Sequence, residues 1–526
     1  MVIEPAGLRN LVLLAGLLGA ASAPVQPARA QPAIRCDGVT DAAPAINAAI
    51  EAAAAGVTGG VVTLPLGVCR VDLSAGRILP ASRVTLRGQG RGRTVVLADD
   101  TRGNSGTWSG RGAISNGVPP GTPGVVPVPT GGNYRRLTDF HLRDLTVKGL
   151  RDDHAIPAGF QNAGFLVNLV SVENVSVRDC EFLDSRAFSL AIAHGSGVSV
   201  QDNLVSRSSR DSIAVWDVSD AVITGNHIRF SGDAAISAHS SDATPSPVRS
   251  GLVIADNVIT DSQGIAVLGA KSVSITGNVL RRVAIHGVFV SATTQTQGAT
   301  PTFAVNIANN IITDVYDISP WRRGSFTKDY IRVGGPQRMA AARQDSLYAN
   351  DMPFADTDGT RAGRGVAPGN FWVRIEGNTL VRTLLAVEHW SDWGYGAVLD
   401  TYEGISYNGP MTDAMLAARA IWIEGGLSQS RVAGNIIRTG GPRAIEFSGI
   451  GLADMAYDGL VITDNQISGF TQAGVFMGRS GTQRIRIDRN EFEADPALRP
   501  MPAAIVMPGV RGITAAANGL RNVAGE

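Results

Sequence analysis

Four short segments near the middle of the chain repeat one pattern: Val198-Ser-Val-Gln-Asp-Asn203, Val222-Ile-Thr-Gly-Asn226, Val253-Ile-Ala-Asp-Asn257 and Val273-Ser-Ile-Thr-Gly-Asn278. In each segment a branched aliphatic residue lies three positions before an asparagine. The same asparagine recurs later, at Asn310, Asn378, Asn435, Asn465, Asn490 and Asn518. Short β-branched strands that repeat about every 20–30 residues are typical of solenoids, in which each coil buries its apolar side against its neighbours. The pattern therefore predicts a parallel β-helix.

The repeated asparagine predicts a hydrogen-bonded ladder along this solenoid. Parallel strands lie about 4.8 Å apart, so each asparagine would lie over the one in the previous coil. Its amide both donates and accepts hydrogen bonds, it tolerates tight corners, and it can link the coils. Cys180 occupies the asparagine position one coil earlier, which predicts a buried free thiol rather than a nucleophile.

Length and charge restrict the class of protein. The chain has 526 residues, of which 62 are glycine, and its formal net charge is zero. Because a solenoid grows without dividing into domains, residues 31–526 are expected to form a single β-helix domain. A chain without a basic excess is a poor match for a phosphate backbone, so nucleic acid is not an expected partner.

Residues 1–30 have the pattern of a secretory signal. Arg9 precedes the apolar run 11–20, and Ala28-Arg-Ala30 is a cleavage site of the small-x-small type. The apolar run is too short to span a bilayer, so no membrane span is expected. The mature protein is predicted to be periplasmic or extracellular. In that environment Cys36 and Cys69 could form a disulfide, or they could remain two unpaired thiols.

The segment 37–71 is expected to cap the first coil. Asp41 is the expected N-cap of a helix over residues 42–55, Pro44 lies in its first turn, and Gly56 ends it. A strand with a turn follows over residues 59–71. An amphipathic helix at this place covers the first coil, which would otherwise be an open sheet edge.

The same segment resembles the opening of the pectate-lyase-like superfamily of right-handed β-helices. The resemblance rests on Asp37-Gly38, Asp41, Ala45-Ile46, Ala49-Ile50, Gly59-Gly60, Val62, Leu64-Pro65 and Gly67. Cys69 falls near the family's usual tyrosine, and one of the family's paired aspartates is absent. The resemblance implies an all-β, right-handed parallel β-helix with an N-terminal capping α-helix, and it implies carbohydrate processing. The superfamily includes lyases, hydrolases and epimerases, so the fold leaves the reaction open.

Interruptions of the repeat predict long loops. Residues 99–135 are rich in glycine and proline, and insertions are expected at about 313–329, 335–370 and 390–418. Long loops inside a solenoid usually map to its binding face. The last two insertions lie beside the same few coils, so the functional site is expected there.

Alignment of the second strand of each coil predicts which side chains face outward. Residues equivalent to Ile213 point inward, and those one position later point to solvent. These outward positions are Ala214, Ser237, Ala266, Phe289, Arg332, Trp422, Glu446 and Phe476. A second outward row contains Trp216, His239, Leu268 and Glu424. Two residues before the strand lie Asp211, Ala234, Gln263, His286 and Asp329.

One candidate chemistry is β-elimination on an acidic polysaccharide, which is the first choice from the sequence. A lyase must neutralise a carboxylate, remove the neighbouring proton and protonate the leaving oxygen. Arg332 is the candidate neutraliser, and His286, Tyr330 or Asp329 beside it could act as base or acid. Further contacts with an acidic substrate are expected from Arg322, Arg323 and Lys328.

The alternative chemistry is hydrolysis by two carboxyl groups. Glu424 and Glu446 fall on neighbouring coils and could be such a pair, Asp217 with Asp233 is a weaker pair, and His239 is a further catalytic candidate. Two carboxyls about 5 Å apart favour retention, and about 6.5–9.5 Å apart favour inversion. A third reading is a non-catalytic carbohydrate-binding β-helix, although a plain scaffold would not need the insertions.

Aromatic side chains on this face are the expected platforms for sugar rings. They are Trp216, Trp321, Trp390, Trp393, Tyr395 and Trp422. No cofactor is expected. Calcium is the alternative, since Asp351, Asp356 and Asp358 cluster in an insertion, but the full spacing of a calcium loop is lacking, and a polar loop also accounts for them.

Overall fold

The computed structural model describes residues 33–101, 112–118, 125–127, 133–150, 165–239, 250–268, 271–291, 303–316, 329–333, 370–383, 419–424, 427–448, 457–477, 483–507 and 513–524. For Asp329–Val333 and for Glu424 the description is limited to the backbone. The expected signal segment and most of the three expected insertions lie outside these residues.

The described chain contains one helix, α1 (Ala43–Ala55), and otherwise strands. In order, the strands are β1 (Asp37–Asp41), β2 (Gly60–Thr63), β3 (Gly67–Asp72), β4 (Val84–Arg87), β5 (Thr94–Asp99), β6 (Ile114–Ser115), β7 (Val125–Pro127), β8 (Asn133–Arg135), β9 (Leu137–Thr138), β10 (His141–Arg143), β11 (Thr146–Lys148), β12 (Val167–Arg178), β13 (Glu181–Ser185), β14 (Leu190–Gln201), β15 (Leu204–Ser208), β16 (Ile213–Thr224), β17 (His227–Ser231), β18 (Ala234–His239), β19 (Ser250–Ala255) and β20 (Val258–Leu268). They continue as β21 (Lys271–Thr276), β22 (Val279–Ser291), β23 (Phe303–Ala308), β24 (Ile311–Tyr316), β25 (Asp329–Val333), β26 (Asn370–Glu376), β27 (Thr379–Val381), β28 (Arg419–Glu424), β29 (Leu427–Ser428), β30 (Arg431–Ala433), β31 (Ile436–Arg438), β32 (Arg443–Ser448), β33 (Tyr457–Thr463), β34 (Gln466–Ser468), β35 (Ala473–Met477), β36 (Gln483–Asp488), β37 (Glu491–Glu493), β38 (Ala503–Val506), β39 (Ile513–Ala516) and β40 (Gly519–Arg521).

These strands form a right-handed parallel β-helix, as the sequence predicts. Each strand pairs in parallel with the equivalent strand of the next coil, and β7 with β8 forms an antiparallel hairpin. One stack of paired strands carries most of the candidate site residues, and we call it the front sheet. It consists of β14, β16, β18, β20, β22, β25, β28, β32 and β35. Its outward surface is the front face.

The core of the solenoid is filled by aliphatic side chains stacked from coil to coil. Ile213, Ile236, Ile265, Ile421 and Ile445 occupy equivalent inward positions of the front sheet and are all fully buried. Burial of each such side chain contributes roughly 1.5–3 kcal/mol. Repetition of this contribution along the axis holds the coils together, and the predicted inward register is confirmed.

The asparagine ladder is also confirmed. Asn203 donates its side-chain amide to the Oδ1 of Asn226 at 2.9 Å, and Asn226 does the same to Asn257. The chain of bonds continues through the remaining asparagines, namely Asn278, Asn310, Asn378, Asn435, Asn465, Asn490 and Asn518.

The expected tight corner lies one residue before the ladder position. The left-handed backbone conformation belongs to the preceding residue, as in Asp202 (φ 54°) and Asp256 (φ 55°). Cys180 takes the asparagine position in the first of these coils, and its backbone N–H donates to the Oδ1 of Asn203. The thiol is buried and free, and burial raises its pKa to about 12, so the prediction of an unreactive cysteine holds.

The N-terminal cap follows the prediction with one correction. Helix α1 buries Ile46 and Ile50 against the first coils and ends at Gly56. Asp41 is not the N-cap residue, because the helix starts one position later and Ala42 occupies that place. The Asp41 carboxylate still accepts a hydrogen bond from the backbone N–H of Ala43 at 3.2 Å.

A disulfide and two shifted boundaries complete the description. Cys36 and Cys69 are joined as a disulfide, one of the two states that the sequence leaves open. The insertion expected from residue 313 begins too early, because residues 313–316 belong to strand β24. The long loop expected over residues 99–135 contains strands β6 to β8, because β6 pairs with β12 and continues the solenoid.

Candidate active site

The outward row of the front face has the predicted register but not the predicted exposure. Ala214, Ser237, Phe289, Trp422 and Glu446 occupy equivalent positions on successive strands. Ser237, Trp422 and Glu446 are nevertheless buried, whereas Phe289 is half-buried. Part of this face is therefore an enclosed polar environment rather than a solvated surface.

The start of each front strand departs from strict alternation. Ala235 and Ile236 both lie in the core, as do Ala420 with Ile421 and Ala444 with Ile445. Because two consecutive side chains point inward there, the residue two positions before the isoleucine turns outward. This row contains Phe188, Asp211, Ala234, Gln263, His286, Arg419 and Arg443.

Asp211 is the central residue of the candidate site. Its side chain is buried, and the hydroxyl of Ser237 on the next coil donates a 2.6 Å hydrogen bond to its Oδ2. Burial, followed by the nearby charge of Asp233, raises the pKa of Asp211 to about 7. A carboxyl with that pKa is substantially protonated near neutral pH and can donate a proton.

Asp233 supplies the second carboxyl of the site. It lies one coil after Asp211, just before strand β18, and is more exposed than Asp211. Arg210 approaches it at 3.6 Å between Nη2 and Oδ2, and the backbone N–H of Ala234 donates to its Oδ1 at 3.1 Å. A protonated carboxyl therefore stands beside a second carboxyl that carries its own cationic partner.

His239 lies on the same two coils, opposite Trp216 in the strand pairing. Its ring is half-buried, and removal from solvent lowers its pKa to about 4 against the attraction of Asp233 and Asp217. The imidazole is therefore neutral at neutral pH. It can donate a hydrogen bond to a bound hydroxyl group or accept one from it, but it carries no positive charge.

An imidazole–carboxylate pair borders the site within strands β14 and β16. The Nδ1 of His194 lies 3.4 Å from the Oδ2 of Asp217, which is almost fully buried. Both residues occupy left-handed corners of consecutive coils. The pairing of Asp217 with Asp233 that the sequence suggested stays a prediction, and the charges of both carboxyls act on His239.

Aromatic side chains lie on the N-terminal side of the acid pair. Phe188 stacks on Phe165 with ring centroids 4.9 Å apart and meets the edge of Trp216 at 5.1 Å. The guanidinium of Arg210 lies 5.1 Å from the centroid of Phe188. Trp216, a predicted substrate contact, is half-buried beside the acids, and its role in binding stays a prediction.

Glu446, a predicted catalytic carboxylate, is enclosed by cations. Arg419 bonds it through Nε, and Arg443 Nη1 lies 2.9 Å from its Oε1. Arg419 also lies 4.5 Å above the ring of Trp422, which is buried. The backbone of Glu424 pairs with that of Ser448, two register positions beyond the pair formed by Trp422 and Glu446.

The His286 coil contains a local irregularity of the front sheet. Gln263 and Ile265 are separated by one residue, whereas their partners Ala284 and Val288 are separated by three. Gly264 is needed opposite this bulge, because a Cβ there would come within 1.9 Å of the Gly287 carbonyl oxygen. Bulges of this kind often re-aim a side chain near a site.

The residues predicted around His286 are brought into one region by the backbone. His286 is nearly buried, its ring lies 5.1 Å from Phe289, and its Cα partner on the next strand is Asp329. Arg332 pairs between Phe289 and Trp422, and Tyr330 precedes it in strand β25. The catalytic roles of these residues stay predictions.

The remaining predicted contacts fall outside the described residues: Trp321, Arg322, Arg323, Lys328, Trp390, Trp393 and Tyr395. The acidic cluster at Asp351, Asp356 and Asp358 does so as well. Within the described ranges, no three His, Cys, Asp or Glu side chains converge to hold a metal ion. Among the same residues, no helix is long and apolar enough to cross a membrane.

Comparison with known families and structures supports the fold. Residues 158–280, which contain the acid pair, match the model described as "Right handed beta helix region". The N-terminal fragment of gene product 12 of bacteriophage Phi29 superposes with a TM-score of 0.57 at 13% identity, over 92% of this chain and 70% of that one. Comparison with curated protein sequences finds no match.

Two further solved structures share the architecture. The surface protein and adhesin PfbA of Streptococcus pneumoniae superposes with a TM-score of 0.53 at 14% identity, over 91% of this chain and 98% of that one. The GH87 α-1,3-glucanase of Streptomyces thermodiastaticus aligns at 16% identity, over 93% of this chain and 67% of that one, with a TM-score of 0.44. The likenesses to the Phi29 and PfbA structures confirm the right-handed β-helix that the N-terminal signature implies, and they extend to the fold alone.

Proposed function

We propose that this protein is a carbohydrate-active enzyme that hydrolyses glycosidic bonds, with Asp211 as general acid and Asp233 as the second carboxyl. The observation that carries the proposal is the buried Asp211 beside Asp233 on the outward face of the solenoid. Hydrolysis of a glycoside needs one carboxylic acid and one carboxylate on either side of the bond. The environment of the two groups provides that difference.

In the proposed reaction, Asp211 gives its proton to the glycosidic oxygen as the bond to the anomeric carbon breaks. Asp233, held by Arg210, stabilises the positive charge that develops on the ring or activates the attacking water. Ser237 keeps the acid in position through its hydrogen bond. Neutral His239 and Trp216 are suited to contact sugar hydroxyls and ring faces.

A polysaccharide is the proposed substrate. The N-terminal residues resemble a superfamily of carbohydrate-processing proteins, and a β-helix offers a long surface for an extended polymer. A secreted protein would meet such a polymer outside the cell, which fits the signal-like segment 1–30.

A lyase centred on Arg332 is the second candidate. The observation that favours it is the strand register, which brings the backbone of Arg332 and Asp329 beside His286 and Phe289. An acidic polymer bound there would need its carboxylate neutralised before a proton could be removed. In this reading Asp211 and Asp233 belong to a neighbouring binding region.

The deciding experiment incubates the purified protein with polygalacturonate, alginate, hyaluronate and dextran. New reducing ends without the ultraviolet absorbance of an unsaturated uronate would support hydrolysis, and Asp211→Asn should abolish them. Ends that appear together with that absorbance would favour the lyase and direct mutation to Arg332. If no polymer yields ends but some are bound, the non-catalytic alternative replaces both.

A further inference from the structure

The aromatic residues beside the acid pair cover one part of the front face completely. Ala191 and Ala214, two successive outward residues of the front sheet, are fully buried. The side chains packed over them are Phe165, Phe188 and Trp216. These rings contact one another at centroid distances of 4.9 Å and 5.1 Å. A polymer lying on this face cannot contact the floor of these coils.

The face changes character at the next coil. The outward positions that follow Ala214 are Ser237, which is bonded to Asp211, and then Ala266, which is partly exposed. In the neighbouring row, Trp216 is followed by His239 and then by the partly exposed Leu268. The aromatic cover therefore ends where the polar site begins.

The acid pair lies directly at this boundary. Phe188 and Asp211 occupy equivalent places, each two residues before the start of a front strand, on consecutive coils. Adjacent strands are about 4.8 Å apart, so the aromatic side chains and the carboxyl groups come from directly neighbouring coils. Arg210 lies between them, because it approaches both the ring of Phe188 and the carboxylate of Asp233.

We propose that Phe188 and Trp216 form an end wall of the substrate groove, so that the enzyme removes units from one end of a polysaccharide chain rather than cleaving within it. The proposal rests on the proposed function and defines its mode of action. The substrate extends from the wall across the acid pair toward the coils of Gln263 and His286. A chain that continued past the wall would have to displace the packed rings.

The first test compares the loss of viscosity with the release of reducing ends on whichever polymer of the panel is cleaved. An enzyme that acts at chain ends produces many ends before viscosity falls. The wild-type protein should show this pattern and release one short product from the outset. A rapid fall in viscosity with few ends would leave hydrolysis established and overturn the end wall.

Variants of the wall sharpen the test. Phe188→Ala and Trp216→Ala should open the groove and increase the viscosity lost per reducing end several-fold, while Trp216→Phe should retain the wild-type pattern. Trp372→Ala is the matched control, because Trp372 is 41% exposed on another sheet of the solenoid. If the two wall variants remain folded by circular dichroism and release the wild-type products, the wall has no role in specificity.

Binding provides a readout that does not require turnover. Asp211→Asn is titrated with oligosaccharides of polygalacturonate and dextran that carry a bulky fluorophore at either the reducing or the non-reducing end. A label at the end that meets the wall should weaken binding at least tenfold, and the same label at the other end should not. Equal binding of the two labelled forms would contradict the wall. The absence of both binding and cleavage would contradict the wall and the proposed hydrolysis together.

Discussion

Two buried carboxyl groups of the front face, Asp211 and Glu446, have opposite surroundings. Asp211 accepts its hydrogen bond from a neutral hydroxyl and lies beside another carboxyl, Asp233. Glu446, further along the same face, is held between the guanidinium groups of Arg419 and Arg443. Both side chains are at least 94% buried by residue exposure, with 5% and 2% of their surface accessible.

The charge of the partners, rather than burial alone, separates the two groups. A buried carboxyl without a cation bonded to it is stabilised in its protonated form and can act as an acid. A carboxylate between two guanidinium groups is fixed as an ion pair, and its removal leaves two partly buried cations without their shared partner. We therefore assign chemistry to the Asp211 region and a structural role to the Glu446 region.

The largest expected effect is on activity at the first region. Asp211→Asn should lower kcat by about 10²–10⁴-fold, because the amide cannot donate a proton to the glycosidic oxygen. Below about pH 4, where the wild-type carboxyl is protonated in the folded and the unfolded state, the unfolding midpoint should change little, since the amide fills the same space. Steady-state kinetics on the cleaved polymer and thermal unfolding measure the two quantities, and Asp220→Asn, at an exposed position of strand β16, is the control. Wild-type turnover by Asp211→Asn would remove it from the mechanism.

The opposite result is expected at the second region. Glu446→Gln should lower the free energy of unfolding by about 3–5 kcal/mol, because two guanidinium groups lose their shared partner. The folded fraction should retain its activity. Urea unfolding compared with Glu491→Gln, an exposed glutamate on strand β37, gives the difference. A stable but inactive Glu446→Gln protein would instead return Glu446 to the catalytic candidates.

The two regions should also differ in how stability depends on pH. The pKa of Asp211 is raised to about 7 in the folded protein, above an ordinary aspartate pKa of about 4. Between these two pKa values the folded state holds a proton that the unfolded state has released. The contribution of Asp211 to the free energy of unfolding is therefore complete below about pH 4 and is lost as the pH rises through 7. Between these limits the free energy of unfolding should fall by up to about 1.4 kcal/mol for each pH unit. Urea unfolding across this range should show that Asp211→Asn removes the slope, and an unchanged slope would contradict the assignment.

A smaller effect is expected from the hydroxyl that holds the acid. Ser237 stabilises the ionised form of Asp211 by donating a hydrogen bond, so Ser237→Ala should raise the pKa of Asp211 by up to about one unit. The high-pH limit of kcat/KM should then move to higher pH, and Ser237→Thr should restore it. A shift in the other direction would mean that the hydroxyl stabilises the protonated acid.

Most of the fold could be predicted from the sequence because it repeats. One asparagine and one inward isoleucine recur many times, and each copy supports the next. Asn257 and Ile236 illustrate this, since both occupy the predicted place. The cap was also predictable, although Asp41 lies one position further out than a simple N-cap.

The candidate site was less predictable because it depends on departures from the repeat. If inward and outward side chains alternated strictly, Asp211 would point inward. It points outward because two consecutive residues face the core at the start of front strands. Its closeness to Asp233 depends on the length of the intervening coil. Glu446 was recognisable as an outward carboxylate, but its neutralisation depends on Arg419 and Arg443, which follow the same irregular row. Alignment of the residues two positions before each front strand identifies Asp211 and also the two arginines that surround Glu446.

The measurement that tests the central claim most directly is the titration of the aspartate carboxyl carbons by NMR in protein labelled with carbon-13 aspartate. It needs no substrate and reads the protonation of Asp211 itself. We expect one carboxyl that titrates near pH 7 and disappears from the spectrum of Asp211→Asn. If every aspartate titrates near the ordinary pKa of about 4, Asp211 is not held protonated and the proposed acid–carboxylate pair is wrong.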